Sequence, residues 1–300
     1  MTKGSLKYLP PLGKLFTVIV LVLSGSVLIS LISILIAKPL FGIDIQSAED
    51  VYHNIDFLRA IQILQGILVF IVPSALAVYL LYSSKDKVIP GKGHFTISFF
   101  LIAVVAIILS QSFISWSAYF NQQLQLPEAM SGLSDWIASK EKETLELTSL
   151  MINTSDWKQT LITVLLIAIL PAIGEEWLFR GLIQRELMNI FKSGHWAVLV
   201  TAIIFSAIHI QFLTFLPRFI LGIILGYMML YSQNIWMPIT AHFTNNFLAV
   251  VLYAFFQNKE MPQPQSQSPG TLSIIFSLVV IITLIITTQQ LGKKQATSFR

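Results

Sequence analysis

The chain has 300 residues, of which 55% are hydrophobic and 11% charged, and its mean hydropathy is +0.74. Soluble domains carry about 25% charged residues because water must cover their surface, so a soluble chain is excluded and an all-α polytopic membrane protein is expected. The net charge of +4 has no clustered basic face, which argues against nucleic-acid binding, and the absence of cysteine excludes disulfides, thiolate metal sites and cysteine nucleophiles.

About 20 apolar residues cross a bilayer. The first such run is Leu15–Ala37, behind Lys3, Lys7 and Lys14. Its length and the lack of a small-residue cleavage pattern predict a retained anchor rather than a signal peptide. Further spans are expected at Ala60–Tyr82, Thr96–Trp116, Gln159–Ile173 with a polar continuation, and Trp196–Phe215. After Pro217 come Phe219–Tyr231, Trp236–Phe256 and Thr271–Thr288, for about eight transmembrane helices. The connection Asn121–Trp157 has mixed charge and is expected to be partly helical around Leu133–Leu150. Met261–Gly270, rich in Pro, Gln and Ser, reads as a flexible loop. The segments are thus 1–157 (three spans and an external loop), 158–257 (a helical core) and 258–300 (loop, last span and tail). No internal repeat of the transporter kind is found.

Basic residues favour the cytoplasmic side. With both termini cytoplasmic, 12 of the 19 basic residues fall inside, among them Lys85, Lys87, Lys92, Arg180, Arg185 and Lys192. Lys38, Arg59, Lys140, Lys142, Lys158, Arg218 and Lys259 fall outside. A multi-pass inner-membrane protein is the expectation.

Ionisable groups inside spans are costly and mark functional candidates. Glu175 and Glu176 precede Arg180, and Glu176 lies one helical turn before the arginine, the favoured order for an ion pair. Glu175 lies about 100° round the helix and faces elsewhere. The surplus carboxylate suits general-base work, although a salt-bridge network at a helix end explains the same residues. Phe205 and His209 stand one turn apart on the fifth span, where a lone histidine is often a hydrogen-bonded packing residue. His242 shares a face with Asn246 on the seventh, with Asn245 beside it; these supply oxyanion donors or polar contacts between helices. Gly222 and Gly226 read as a close helix contact. Glu175 and His209 each lie 17 residues from Lys192, which puts them at one level of an antiparallel hairpin, roughly 25 Å from its turn. His242 reaches that level if the hairpin projects further towards the cytoplasm, or bends; the polar stretch Gln184-Arg185-Glu186 suits a projection.

The ordered set of EExxxR, FxxxH and HxxxN on successive apolar helices resembles the CPBP group of intramembrane proteases. That group includes the type II CAAX prenyl endopeptidases, the Abi proteins and bacteriocin-immunity relatives. The likeness covers roughly Lys158–Gln257. It implies that Glu175 and His209 activate water, that His242 and Asn246 hold the oxyanion, and that Glu176, Arg180 and Phe205 shape the site around one cavity open to the cytoplasm. It also implies a possible Zn²⁺ on Glu175, His209 and His242, whereas the oxyanion-donor role of His242 favours water activation without metal. No HExxH, GxSG or GxGD motif is present. The expected activity is an intramembrane endopeptidase acting on a membrane-associated or prenylated-type peptide or protein substrate, with the lipid bilayer as partner. A non-catalytic immunity or binding protein and a proton-coupled transporter are the alternatives. The first loses ground to the intact residue set, the second to the missing repeats.

Overall fold

The protein is described from a computed structural model, which defines residues 2–44, 51, 54–83, 97–124, 126–152, 156–256 and 268–298. Lys85, Lys87, Lys92, Lys259, Arg300 and most of the expected loop Met261–Gly270 lie outside these residues. Helices α1 (Pro11–Phe41), α2 (Ile55–Leu81) and α3 (Ile97–Gln122) are followed by α4 (Ser131–Met151) and α5 (Trp157–Phe191). Then come α6 (Gly194–Ala207), α7 (Phe215–Ser232), α8 (Trp236–Phe256) and α9 (Thr271–Ser298). No strand occurs among the described residues. Among the described residues, six segments are long and apolar enough to cross a membrane: α1, α2, α3, α5, Phe212–Ser232 and Thr271–Lys293. The chain is an all-α, multi-pass membrane protein.

Two compact units interleave along the chain. Met1–Ile89 joins Leu147–Lys192, and Pro90–Glu146 joins Ser193–Arg300. In the first, α1 opens on Pro11, where a missing N–H costs nothing, and closes at Gly42 in the left-handed region (φ 70°). Its serines do not break the span. Ser24, Ser26, Ser30 and Ser33 each donate to the carbonyl four residues back, at 2.7–3.0 Å, which hides their hydroxyls from lipid. Val20, Leu23, Val27 and Leu31 are 43–61% exposed along one stripe, as a lipid-facing surface requires. On another face Gly25 meets α2 so closely that a Cβ there would lie 2.0 Å from the Leu68 carbonyl oxygen.

Both α2 and α5 widen into a π-helical turn just before a proline, over Gly66–Ile71 ahead of Pro73 and Leu165–Ile169 ahead of Pro171. Proline lacks an N–H and crowds the carbonyl four residues back; the wider turn absorbs that defect without ending the helix. As a result α5 runs through the polar continuation as one 35-residue element. Two side chains of its polar end are packed inside the unit rather than solvated. Gln184 and Glu186 are buried, Tyr82 donates to Glu186 Oε1, and Asn189 Nδ2 donates to Oε2 at 3.2 Å. Lys14 and Arg185 lie over the Tyr82 ring at 4.7 and 5.2 Å. These contacts tie the ends of α1, α2 and α5 together, so the stretch spends its polarity inside the unit.

In the second unit α7 is central. Leu221, Ile224, Leu225 and Met228 pack with Phe99, Ala103 and Ile107 of α3, Met237 and Ala241 of α8, and Ile281 of α9. A Cβ on Gly222 would lie 3.0 Å from that of Ala202 on α6, the close helix contact expected for this glycine. The expected spans Trp196–Phe215 and Phe219–Tyr231 need correction. Helix α6 stops at Ala207, a turn follows, and Phe215 already belongs to α7. Pro217 falls in the first turn of α7, where it is tolerated. At 1.5 Å per residue α6 is about 21 Å long, shorter than the roughly 30 Å hydrocarbon core.

Gly25→Ala is expected to lower the thermal unfolding midpoint in detergent. The clash meets backbone rather than a side chain that could move, and overpacking of this kind costs about 1–3 kcal/mol. A midpoint equal to that of the parent protein would contradict the close approach of α1 and α2.

Candidate active site

In the first unit, Glu175 and Glu176 occupy the last turn before a third π-helical stretch, Trp177–Ile183, which contains Arg180. Such widened turns recur at functional sites. Arg180 Nη1 donates to Glu176 Oε1 at 2.7 Å, and neither side chain has exposed area. The expected pairing within this motif is therefore present. The pair fills low-dielectric space with a neutral unit; each charge alone would be far more costly there. Glu175 is also buried, at 9% exposure. The self-neutralising pair leaves it as the second carboxylate of the motif, on a different side of the helix.

In the second unit, His209 stands beyond the end of α6 rather than on a span as expected. Its amide donates to the Ser206 carbonyl at 3.4 Å, and Ile210 follows with φ 53°. A β-branched residue in the left-handed region carries strain of about 1–3 kcal/mol, so the surroundings must hold it there. They are visible. Ser206 Oγ donates to the Phe215 carbonyl at 2.6 Å. Asn121, at the end of α3, donates to the Phe212 carbonyl at 2.9 Å and accepts from the Leu216 amide at 2.7 Å. Glu141 of α4 accepts from the Leu213 amide at 2.8 Å. Arg218 donates to Gln211 inside the turn. Irregular backbone needs partners for its polar groups, and here Asn121 and Glu141 supply them.

The His209 ring itself bonds back to α6. Nδ1 lies 2.8 Å from the Phe205 carbonyl oxygen; a carbonyl can only accept, so Nδ1 carries the proton and Nε2 is left as the basic nitrogen. Phe205 stands edge-on to His209, with ring centres 5.3 Å apart, and to His242, at 5.9 Å. The structure thus brings together His209, Phe205 and buried His242. One turn along α8 from His242, Asn246 accepts at Oδ1 from Asn245 Nδ2 at 3.2 Å. Asn245 in turn accepts from Gln111 of α3 at 3.4 Å. Among the described residues, no three His, Asp or Glu side chains stand as one group of metal ligands.

Residues 157–248 match the family model for Type II CAAX prenyl endopeptidase Rce1-like. The match supports the CAAX protease family. No curated protein and no solved structure matches the chain. The Rce1-like segment contains every candidate residue named from the sequence and fits a membrane-associated protease with a substrate at the bilayer. Three supporting residues lie outside it: Gln111, Asn121 and Glu141. Their only sequence signal was polarity at a span or beside it, and the last two had been read as part of an external connection. They also expose a conflict. The His209 turn is held at the Asn121 end of α3, the end that the basic-residue asymmetry assigns outside. That orientation and a His209 site open to the cytoplasm do not hold together.

Glu176→Gln is expected to destabilise the protein by about 3–5 kcal/mol, because it leaves a buried guanidinium facing a neutral amide. The double variant Glu176→Gln/Arg180→Met should recover part of the lost thermal stability. If the single variant unfolds at the parent temperature, the pair is not the structural element described here.

Proposed function

We propose that the chain is an intramembrane endopeptidase that hydrolyses a peptide bond of a membrane-associated or prenylated-type substrate. Glu175 accepts a proton from water, assisted by His209 Nε2, and the resulting hydroxide attacks the scissile carbonyl. The oxyanion receives hydrogen bonds from His242 and from Asn246 Nδ2. The tetrahedral intermediate then collapses with cleavage of the C–N bond, and protonated Glu175 returns its proton to the leaving amine. Glu176, Arg180 and Phe205 hold the shape of the site. Zn²⁺ on Glu175, His209 and His242 would instead act as a Lewis acid on the same water; the donor role assigned to His242 favours the metal-free route.

The observation that carries this reading is the state of His209. A turn clamped on both sides presents an imidazole with Nδ1–H engaged and Nε2 basic, beside His242 across the Phe205 ring. A packing histidine needs no such investment. The motif order and the Rce1-like match support the reaction class, and the family resemblance is the reason for including Glu175. The catalytic core is assigned to 158–257. Both termini are placed in the cytoplasm of a cell whose inner membrane holds the protein, by the basic-residue asymmetry. That puts α4 and the His209 turn on the outer side.

In proteoliposomes, parent protein is expected to cleave a farnesylated peptide ending in a CAAX sequence, or its unprenylated counterpart. Glu175→Gln should reduce the rate by about 10²–10⁴-fold with the thermal midpoint kept. Cleavage by Glu175→Gln at the parental rate would remove this glutamate from the mechanism and favour a binding or immunity role. Metal-free chemistry further predicts that activity survives prolonged chelation and that purified protein holds no stoichiometric zinc; stoichiometric zinc that His209→Ala loses would contradict it.

Because the chain has no cysteine, orientation can be read from one introduced thiol. Ser131→Cys, at the start of α4, is expected to react with an impermeant thiol reagent in intact cells. Reaction only after lysis would reverse the orientation and put the His209 turn on the cytoplasmic side.

A further inference from the structure

Helix α4 lies outside the Rce1-like segment, yet its single buried residue is a glutamate. Glu141 is 6% exposed, while its neighbours Lys140 and Lys142 face solvent and pair with Glu143 and Glu146 on the exposed side. Burying a carboxylate on a solvated helix is unfavourable unless it makes a specific bond. Its bond is to the Leu213 amide, and Trp136, on the same helix, places its ring 6.1 Å from that of Phe212. Asn121, buried at 6% exposure, grips the same turn from α3 at Phe212 and Leu216. Both side chains thus act on the backbone three to seven residues after His209. Neither is expected to touch substrate.

We infer that Asn121 and Glu141 are positioning residues for His209, and that α4 acts as a brace that sets which imidazole nitrogen is basic. The physical argument runs through Ile210. A β-branched residue at φ 53° returns to an ordinary conformation when its surroundings relax. Relaxation moves His209 away from the Phe205 carbonyl, and the Nδ1–H bond that selects the tautomer is lost. The ring then takes up the Nε2–H form that a free histidine side chain favours in water, and the nitrogen needed as base becomes a donor. The catalytic consequence rests on the protease reading above; the tautomer consequence does not.

The test therefore reads both. Histidine-labelled (¹⁵N) protein in nanodiscs gives imidazole nitrogen spectra in which His209 is identified by its disappearance in His209→Gln. Parent protein is expected to show His209 as a single Nδ1–H species. Asn121→Ala and Glu141→Ala are expected to shift it towards Nε2–H and to lower kcat on the farnesylated CAAX peptide by about 10–100-fold, as for a small displacement of a catalytic group, with KM little changed. Glu141→Gln keeps an acceptor oxygen for the Leu213 amide and should rescue both readouts. Asn121→Asp keeps the acceptor for Leu216 but not the donor to Phe212, and should fall in between. Lys142→Ala, on the exposed face of α4, should match the parent. The inference is overturned if His209 stays Nδ1–H in both alanine variants, or if Glu141→Gln behaves like Glu141→Ala. If the tautomer shifts as expected but parent protein cleaves neither peptide, the protease reading falls and the positioning role stands.

Discussion

An arginine and a glutamate 2.7 Å apart, with no exposed area on either side chain, set the conditions for the first unit. A charge at the centre of a bilayer is tolerated only when paired or turned towards protein or water. The pair meets much of that demand within a single helical turn of the widened stretch Trp177–Ile183. It also separates the two adjacent carboxylates by function. Glu176 is committed to Arg180, and Glu175 is the one available for proton transfer in the proposed mechanism. The same economy recurs at the end of α5, where Glu186 takes hydrogen bonds from Tyr82 and Asn189, and along α1, where serines bond back to their own helix.

The second unit meets the constraint differently. It does not hide its irregular backbone in a helix but breaks α6 early and satisfies the exposed amides and carbonyls with two side chains far away in sequence. Asn121 and Glu141 replace the water that a surface turn would use. The consequence is a rigid loop in an apolar setting, carrying a histidine of defined tautomer next to a second histidine across one phenyl ring. Between α3 and α8 the amides Gln111, Asn245 and Asn246 repeat the principle, Gln111 donating to Asn245 and Asn245 to Asn246.

Much of this architecture was legible as hydropathy. The first four spans and the last follow from apolar length, and α4 was expected as a partly helical, mixed-charge stretch around Leu133–Leu150; the observed helices differ mainly in their ends. The break at Ile208 was not legible. Ile208, Ile210, Phe212, Leu213, Phe215 and Leu216 continue the apolar run, and no glycine or proline marks the turn before Pro217. Its cause is tertiary, in hydrogen bonds to residues 72 to 95 positions earlier, which local patterning does not contain. For the site, ion-pair spacing identified Glu176 and Arg180, and one-turn spacing identified Phe205 with His209 and His242 with Asn246. The supporting residues escaped because a lone polar residue at a helix end reads as solvated. The burial of Gln184 and Glu186 escaped for the same reason: polar residues in a row suggest water, and only the partners on α1 and α2 reveal otherwise.

In the proposed mechanism Glu175 and His242 serve one reaction. Cross-linking in the cysteine-free chain tests it without any substrate. Glu175→Cys/His242→Cys, with a protease site engineered into the Lys192–Gly194 turn, is treated in membranes with a short bifunctional thiol reagent and then cut. The account predicts that the two fragments remain joined on a denaturing gel, and that either single-cysteine variant gives separate fragments. Separate fragments from the double variant, with both thiols shown to react with a monofunctional reagent, would contradict a shared site.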